Sequence, residues 1–178
     1  MAFQKLLRAN VRILWAYPEA FANAAAPTSA ELNDLFVYTT NEDGRVFDIS
    51  CSILDDYTLN MTDSDTDDSI SICDIGNVET PTFQNYEASL NHFRDESVTA
   101  NGVFNLAFDL FKGVDRPGFL IKSIGYPQGT PFAAGQTVSL YGFTTDYPAD
   151  VVEDNAMIQF GSRFKPSGQL NINYTLIA

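Results

Sequence analysis

Two segments of this chain alternate polar and apolar residues, and a two-residue period confines such segments to sheet strands with one packed face and one wet face. In residues 83–94, Asn85, Glu87, Ser89 and Asn91 fall on one side, and Tyr86, Ala88, Leu90 and His92 on the other. Near the C-terminus Leu170, Ile172, Tyr174 and Leu176 oppose Asn171, Asn173 and Thr175. Residues rich in aromatics, Val, Ile and Thr between Gly, Pro and Asn punctuation extend the pattern. Strands are expected at 10–16, 46–53, 69–73, 83–94, 119–125, 137–144, 157–164 and 170–177. In 157–164, Ile158, Phe160 and Phe164 are expected inward, with Gln159 and Arg163 outward. The fold class is therefore mainly β. Its continuous polar faces are either plain outer faces or the lining of a watery channel formed by several copies.

Two helices interrupt the strands. Thr28, with Glu31 three residues on, forms a capping-box pattern and starts a short helix expected to end near Phe36. Asn101 is placed to cap a second helix over 103–112, with Gly113 ending it in the left-handed conformation. Asn105, Asp109 and Lys112 give this helix only a narrow polar stripe, so it either sinks into the core or is covered by a neighbouring subunit.

Charge is distributed unevenly. From Glu31 to Glu79 there are thirteen carboxylates against Arg45 alone, whereas the remainder of this -13 chain is almost neutral. A segment so acidic disfavours binding to nucleic acid through cations, but suits a surface to which DNA must not stick. It also reads as a solvated acidic loop. At 178 residues the chain suits one domain, 1–178, with residues 1–30 as an N-terminal arm and 54–82 as an acidic loop and hairpin. Lys5, Arg8 and Arg12 before a short apolar run imitate a signal peptide, but Tyr17-Pro18-Glu19 interrupts it. No apolar run is long enough to span a bilayer. Cys51 and Cys73 are expected as buried small apolar residues, not a disulfide.

The chemistry of catalysis is sparse. His92 falls on a packed strand face and is expected to be a buried hydrogen-bonded ring, not a general base. There is no nucleophile elbow, phosphate-binding loop or dinucleotide fingerprint, and the chain is read as a non-enzyme without cofactors. Asp63, Asp65, Asp67 and Asp74 resemble the opening of a calcium loop and are weak metal candidates. Asp68 stands where that loop needs Gly, and the flanks look extended.

The stretch Ile72-Cys73-Asp74-Ile75-Gly76-Asn77-Val78-Glu79-Thr80-Pro81-Thr82-Phe83, running on into Asn85-Tyr86-Glu87-Ala88-Ser89-Leu90-Asn91-His92-Phe93-Arg94-Asp95-Glu96, resembles the major tail (tail tube) proteins of long-tailed, non-contractile phages. The order of parts agrees: an acidic hairpin before that strand, a helix after it, then Arg116-Pro117-Gly118-Phe119 and the closing strands around Tyr141-Gly142-Phe143. The resemblance implies a β-sandwich or barrel-like fold with a flanking helix. Its subunits would assemble as hexameric rings, stacking in the virion into a tube for DNA ejection. It also implies as partners further copies of the chain, a tape measure protein, tail-end proteins and passing double-stranded DNA, with assembly in the host cytoplasm and no membrane. On this reading Asn85, Glu87, Asn91, Gln159, Asn171 and Asn173 line the lumen. Asp55, Asp56, Asp63, Asp65, Phe104, Phe108 and Phe111 contact neighbouring subunits or rings. Alternatives are a monomeric lectin-like carbohydrate-binding sandwich using Trp15 and the tyrosines, or another virion protein such as a tail terminator or decoration protein.

Overall fold

A computed structural model describes residues 10–38, 40–69, 73, 79–97, 99, 101–151 and 157–178. Its strands are β1 (Val11–Ala16), β2 (Val46–Asp48), β3 (Thr58–Met61), β4 (Asp65–Asp67), β5 (Thr80–Phe83), β6 (Tyr86–Phe93), β7 (Pro117–Ile124), β8 (Thr137–Thr145), β9 (Ala149–Val151) and β10 (Gln159–Thr175). Its helices are α1 (Ser29–Leu32) and α2 (Val103–Phe111). The protein is mainly β, as expected. Eight strands join in the antiparallel order β2-β1-β7-β8-β10-β6-β3, with β9 also on β10, while β4 and β5 form a separate hairpin. The early part of β10 pairs with β6 and β9 and the later part with β8, so one strand belongs to two layers.

Alternation along β1 fills both sides of the larger layer. Ile13 and Trp15 enter the core between the layers, with Leu59, Tyr86, Leu90, Phe143 and Phe160. Leu14 and Ala16 face the other way, where Phe21, Leu32, Phe132 and Leu176 cover them. Each large side chain buried in this way contributes about 1.5–3 kcal/mol. The open side of the first core is closed by α2, whose Ala107, Leu110 and Phe111 pack into it.

The capping box of α1 is present. Thr28 Oγ1 accepts from Glu31 N–H at 3.2 Å, and Glu31 Oε2 accepts from Thr28 N–H at 2.8 Å. Burial would raise the Glu31 pKa, but hydrogen bonds from the Ala22 and Thr28 backbones and the Thr28 hydroxyl outweigh it and hold the carboxyl below its ordinary value. The helix ends at Leu32, short of Phe36, because the chain turns to lie beside β2: Phe36 N–H donates to Val46 O at 2.7 Å.

Other expectations need correction. The N-cap of α2 is Gly102, without a side-chain bond, and not Asn101. Gly113 is not left-handed; Asp115, with φ 57°, is. Gly113 instead leaves room for Arg116, whose Nε would lie 2.5 Å from an added Cβ. The strand expected at 46–53 stops at Asp48, whose Oδ1 accepts from both the N–H and the hydroxyl of Ser50 and turns the chain into a short 3-10 turn. The two strands expected at 157–164 and 170–177 are instead parts of one continuous strand, β10 (Gln159–Thr175), bent at Gly168 with φ 82°. Tyr86 fixes that bend, its hydroxyl accepting from Gly168 N–H at 3.0 Å and lying 2.7 Å from Gly142 O.

Faces also differ from the simple alternation. Leu170 and Ile172 pack on the core between the layers, whereas Tyr174 and Leu176 pack on the opposite side. The switch falls at a register shift between Asn171 and Tyr174, where Asn173 has φ 53°: a bulge shifts every later side chain to the other face. Ile158, expected inward, is exposed. Both cysteines are exposed, not buried, and neither is in a disulfide; Cys51 Sγ lies 3.0 Å from Gln128 Oε1. The strand expected at 69–73 lies largely outside the described residues, as do residues 1–9 of the arm expected at 1–30, whose residues 11–16 form β1.

Candidate assembly surface

The smaller layer runs β3-β6-β10-β9. Register places Asn60 opposite Glu87, Thr58 and Arg163 both opposite Ser89, and Asn91 opposite Gly161. These residues share the face turned away from the core. Gln159 belongs to it too, opposite Phe93 and Val151. Glu87 is exposed, and Asn91 donates to Asp56 Oδ2 at 3.0 Å. Asn85 works at the border, donating to Asp63 O at 3.1 Å and Asp65 Oδ1 at 2.9 Å, so it holds the root of the acidic hairpin.

Four of the six residues expected in a lumen are thus brought together: Asn85, Glu87, Asn91 and Gln159. The other two are elsewhere. Asn171 lies beyond the bend of β10 and donates to Ala25 O at 3.0 Å, beneath the covering segment of the larger layer. Asn173 occupies the bulge, its N–H bonded to Ser139 Oγ at 3.0 Å. The polar face is mixed in charge. Arg163 is exposed on it, and the neighbouring Lys165 forms a 3.0 Å ion pair with Asp146.

Of the residues expected between subunits, Asp55 and Asp56 occupy the exposed turn before β3, and Asp63 and Asp65 the exposed side of the hairpin. Asp65 pairs with Phe83, which is 70% exposed. Phe111 belongs to the core of its own chain, 5.3 Å from the Trp15 ring, so it is not a surface contact. Phe108 packs edge-on to Phe160 at 5.3 Å beneath the Arg94 guanidinium, 3.4 Å from its ring centre, and Phe104 meets Phe93 at 6.0 Å. The apolar excess of α2 is spent largely within the subunit.

The metal candidates lie along an extended chain. Asp65 and Asp67 belong to β4, and Asp67 Oδ1 accepts from the hydroxyl and N–H of Ser69, which hold its pKa below the ordinary value. Among the described residues no three metal-binding side chains converge; Asp74 lies outside them.

His92 is fully buried, stacked on Phe160 at 4.8 Å, with Nδ1 2.9 Å from Ser52 Oγ. The Ser52 hydroxyl has one proton and a 2.7 Å contact with Ile49 O, so the imidazole donates from Nδ1 and leaves Nε2 bare in an apolar pocket. Burial pushes its pKa down to about 3. A ring so placed is neutral and out of reach of any substrate. Trp15, which a sugar-binding face would need at the surface, is also fully buried.

Sequence reasoning missed two cations. Arg12, read there only as part of a leader-like run, is 2% exposed, bonded to Asp48 Oδ2 through Nε and Nη2 at 3.2 and 2.9 Å and to Thr130 O at 2.7 Å. Lys122 spans the layers, its ammonium 3.0 Å from both Leu59 O and Asn60 Oδ1. Neither contact leaves a local sequence signal, since both join residues more than thirty positions apart.

A β-sandwich with a polar layer and an exposed acidic hairpin, and with its histidine sealed in the core, has the make-up of a structural protein. The chain belongs to the phage tail tube protein family, whose model matches residues 1–178. It is a self-assembling component of the phage tail, located in the virion. No curated protein searched matches it, and no described helix is long and apolar enough to cross a membrane.

Proposed function

We propose that this chain forms hexameric rings that stack into a hollow tail tube, with the face of β3, β6, β9 and β10 turned to the bore. The observation that carries this reading is the smaller layer itself: a sheet whose polar face is exposed at Asn60, Glu87, Ser89 and Arg163 and which has, among the described residues, no strand beyond β3 or β9. Unpaired strand edges favour pairing with further chains, and a ring of copies removes them by closure. Six copies contribute about 24 strands, which at ~4.8 Å spacing give a backbone circumference of about 115 Å and a bore of roughly 25 Å between side chains. That admits double-stranded DNA.

Glu87, with Asn85, Asn91 and Gln159, lines the passage. One carboxylate about 15 Å from a phosphate repels it by only about 0.3 kcal/mol in water before screening, so no single residue is a barrier. Repeated around the bore, such groups offer DNA little to grip. Asp55 and Asp56 meet a neighbouring subunit, and the hairpin bearing Asp63, Asp65 and Phe83 reaches an adjacent ring. The half-buried Phe104 and Phe108 complete contacts at the helix end. The tube encloses a tape measure protein, joins tail-end proteins, assembles in the host cytoplasm and acts without catalysis or cofactor.

Negative-stain electron microscopy of the purified protein over a concentration series tests this. Rings or hollow tubes of uniform diameter are expected; a protein monomeric at every concentration would overturn the reading.

A further inference from the structure

The two outer edges of the smaller layer differ in chemistry. Thr62 N–H donates to Asn85 O, which sets the parity of the β3–β6 ladder: Thr58, Asn60 and Thr62 aim their backbone groups at β6, and Leu59 and Met61 aim theirs away. Across that outer edge lies Lys122, which comes from β7 in the opposite layer and donates to Leu59 O and Asn60 Oδ1. A lysine on a strand edge blocks pairing with another chain, because a strand that replaced it would strand the ammonium. Lys122 is half-buried, and among the described residues it has no carboxylate partner. Burial accordingly lowers its pKa. The opposite edge, β9, carries one charge, the exposed Asp150 between Ala149 and Val151.

We propose that the β3 edge receives the β9 edge of a second copy, and that Lys122 gates this contact, closing the edge in the lone subunit and turning to Asp150 of the second copy on docking. The inference rests on the ring reading above and names the groups that regulate it. On docking, Leu59 O exchanges the ammonium for a backbone N–H of the incoming strand. The ammonium exchanges two neutral acceptors for a carboxylate, a stronger partner for a charge leaving water. The edge is thereby guarded against promiscuous pairing and open to a strand that brings an acid in register.

A charge exchange tests this, with ring formation followed by sedimentation velocity and electron microscopy. Lys122→Asp and Asp150→Lys each raise the concentration needed for rings at least tenfold, and the double variant returns it to within about threefold of the parent. Asp150 is exposed, so Asp150→Lys remains informative even if Lys122→Asp unfolds; thermal melts establish which variants are folded. Parent-like assembly by Asp150→Lys, or a folded double variant without recovery, overturns the gate while leaving the ring reading intact. A parent protein that never assembles overturns both.

Discussion

The indole of Trp15 occupies the space over Gly118 that a side chain would need: a β-carbon there would stand 2.2 Å from Trp15 Cζ2. Trp15 is fully buried and edge-on to Phe111, so the glycine lets β7 lie beneath the largest side chain of the core. Gly118→Ala is expected to destabilise the fold by about 2–3 kcal/mol, since overpacking a filled core forces side chains and backbone to shift. Urea unfolding monitored by tryptophan fluorescence measures it; an unchanged midpoint would show that the indole can move aside.

His92 makes stability depend on pH in a defined window. Its folded pKa is lowered to about 3, whereas an unfolded histidine titrates near 6.5. Below about 6.5 the unfolded chain therefore binds a proton that the folded chain refuses, and stability falls with pH until about 3. Between pH 7 and pH 5 the loss is about 2 kcal/mol. Glu31, Asp67 and Asp146 have lowered pKa values, so their contributions fade in more acidic solution. In His92→Gln the loss between pH 7 and pH 5 should nearly vanish, as read from denaturation midpoints at each pH. Equal losses in both proteins would assign the effect elsewhere.

Arg12 and Asp48 hold the start of β1 to the end of β2. Because the guanidinium is buried, removing its carboxylate leaves an uncompensated charge, and Asp48→Ala should cost about 3–5 kcal/mol. Arg12→Met in the same chain should restore part of that loss. A double-mutant cycle by chemical denaturation decides it, and strictly additive effects would mean that the pair is not coupled.

Glu87 is exposed, so on the proposed ring reading charge reversal there separates passage from assembly. Glu87→Lys is expected to form tubes normally while phage carrying it eject DNA more slowly. Ejection at the parental rate in a DNA-release assay would take Glu87 out of the bore.

The sequence displayed what depends on neighbours along the chain. Thr28 and Glu31 lie three residues apart and announce their capping box; the alternation of Tyr86, Leu90 and His92 announces a packed strand face. What stayed hidden depends on the backbone leaving its regular path or on distant pairing. The left-handed Asn173 reverses the faces of Tyr174 and Leu176, and a plain count of alternate positions cannot register that reversal. The strands expected at 157–164 and 170–177 leave Pro166 and Gly168 in a gap between them, yet Tyr86, eighty-two residues from Gly168, binds the bend within a continuous β10. Part of the polar face was legible as a stripe. The presence there of Arg163 beside Glu87, and of Lys122 at its rim, became visible only through cross-strand register.

Because β10 is common to both layers, the subunit has no plane along which one sheet can slip past the other without breaking that strand's own ladders. A pull along β10 loads its hydrogen bonds in shear, many at once, whereas a pull across an edge strand would unzip them in turn. The bend at Gly168, held by the Tyr86 hydroxyl, would then act as a fixed elbow in a tensioned cord, passing such a pull from one layer to the other.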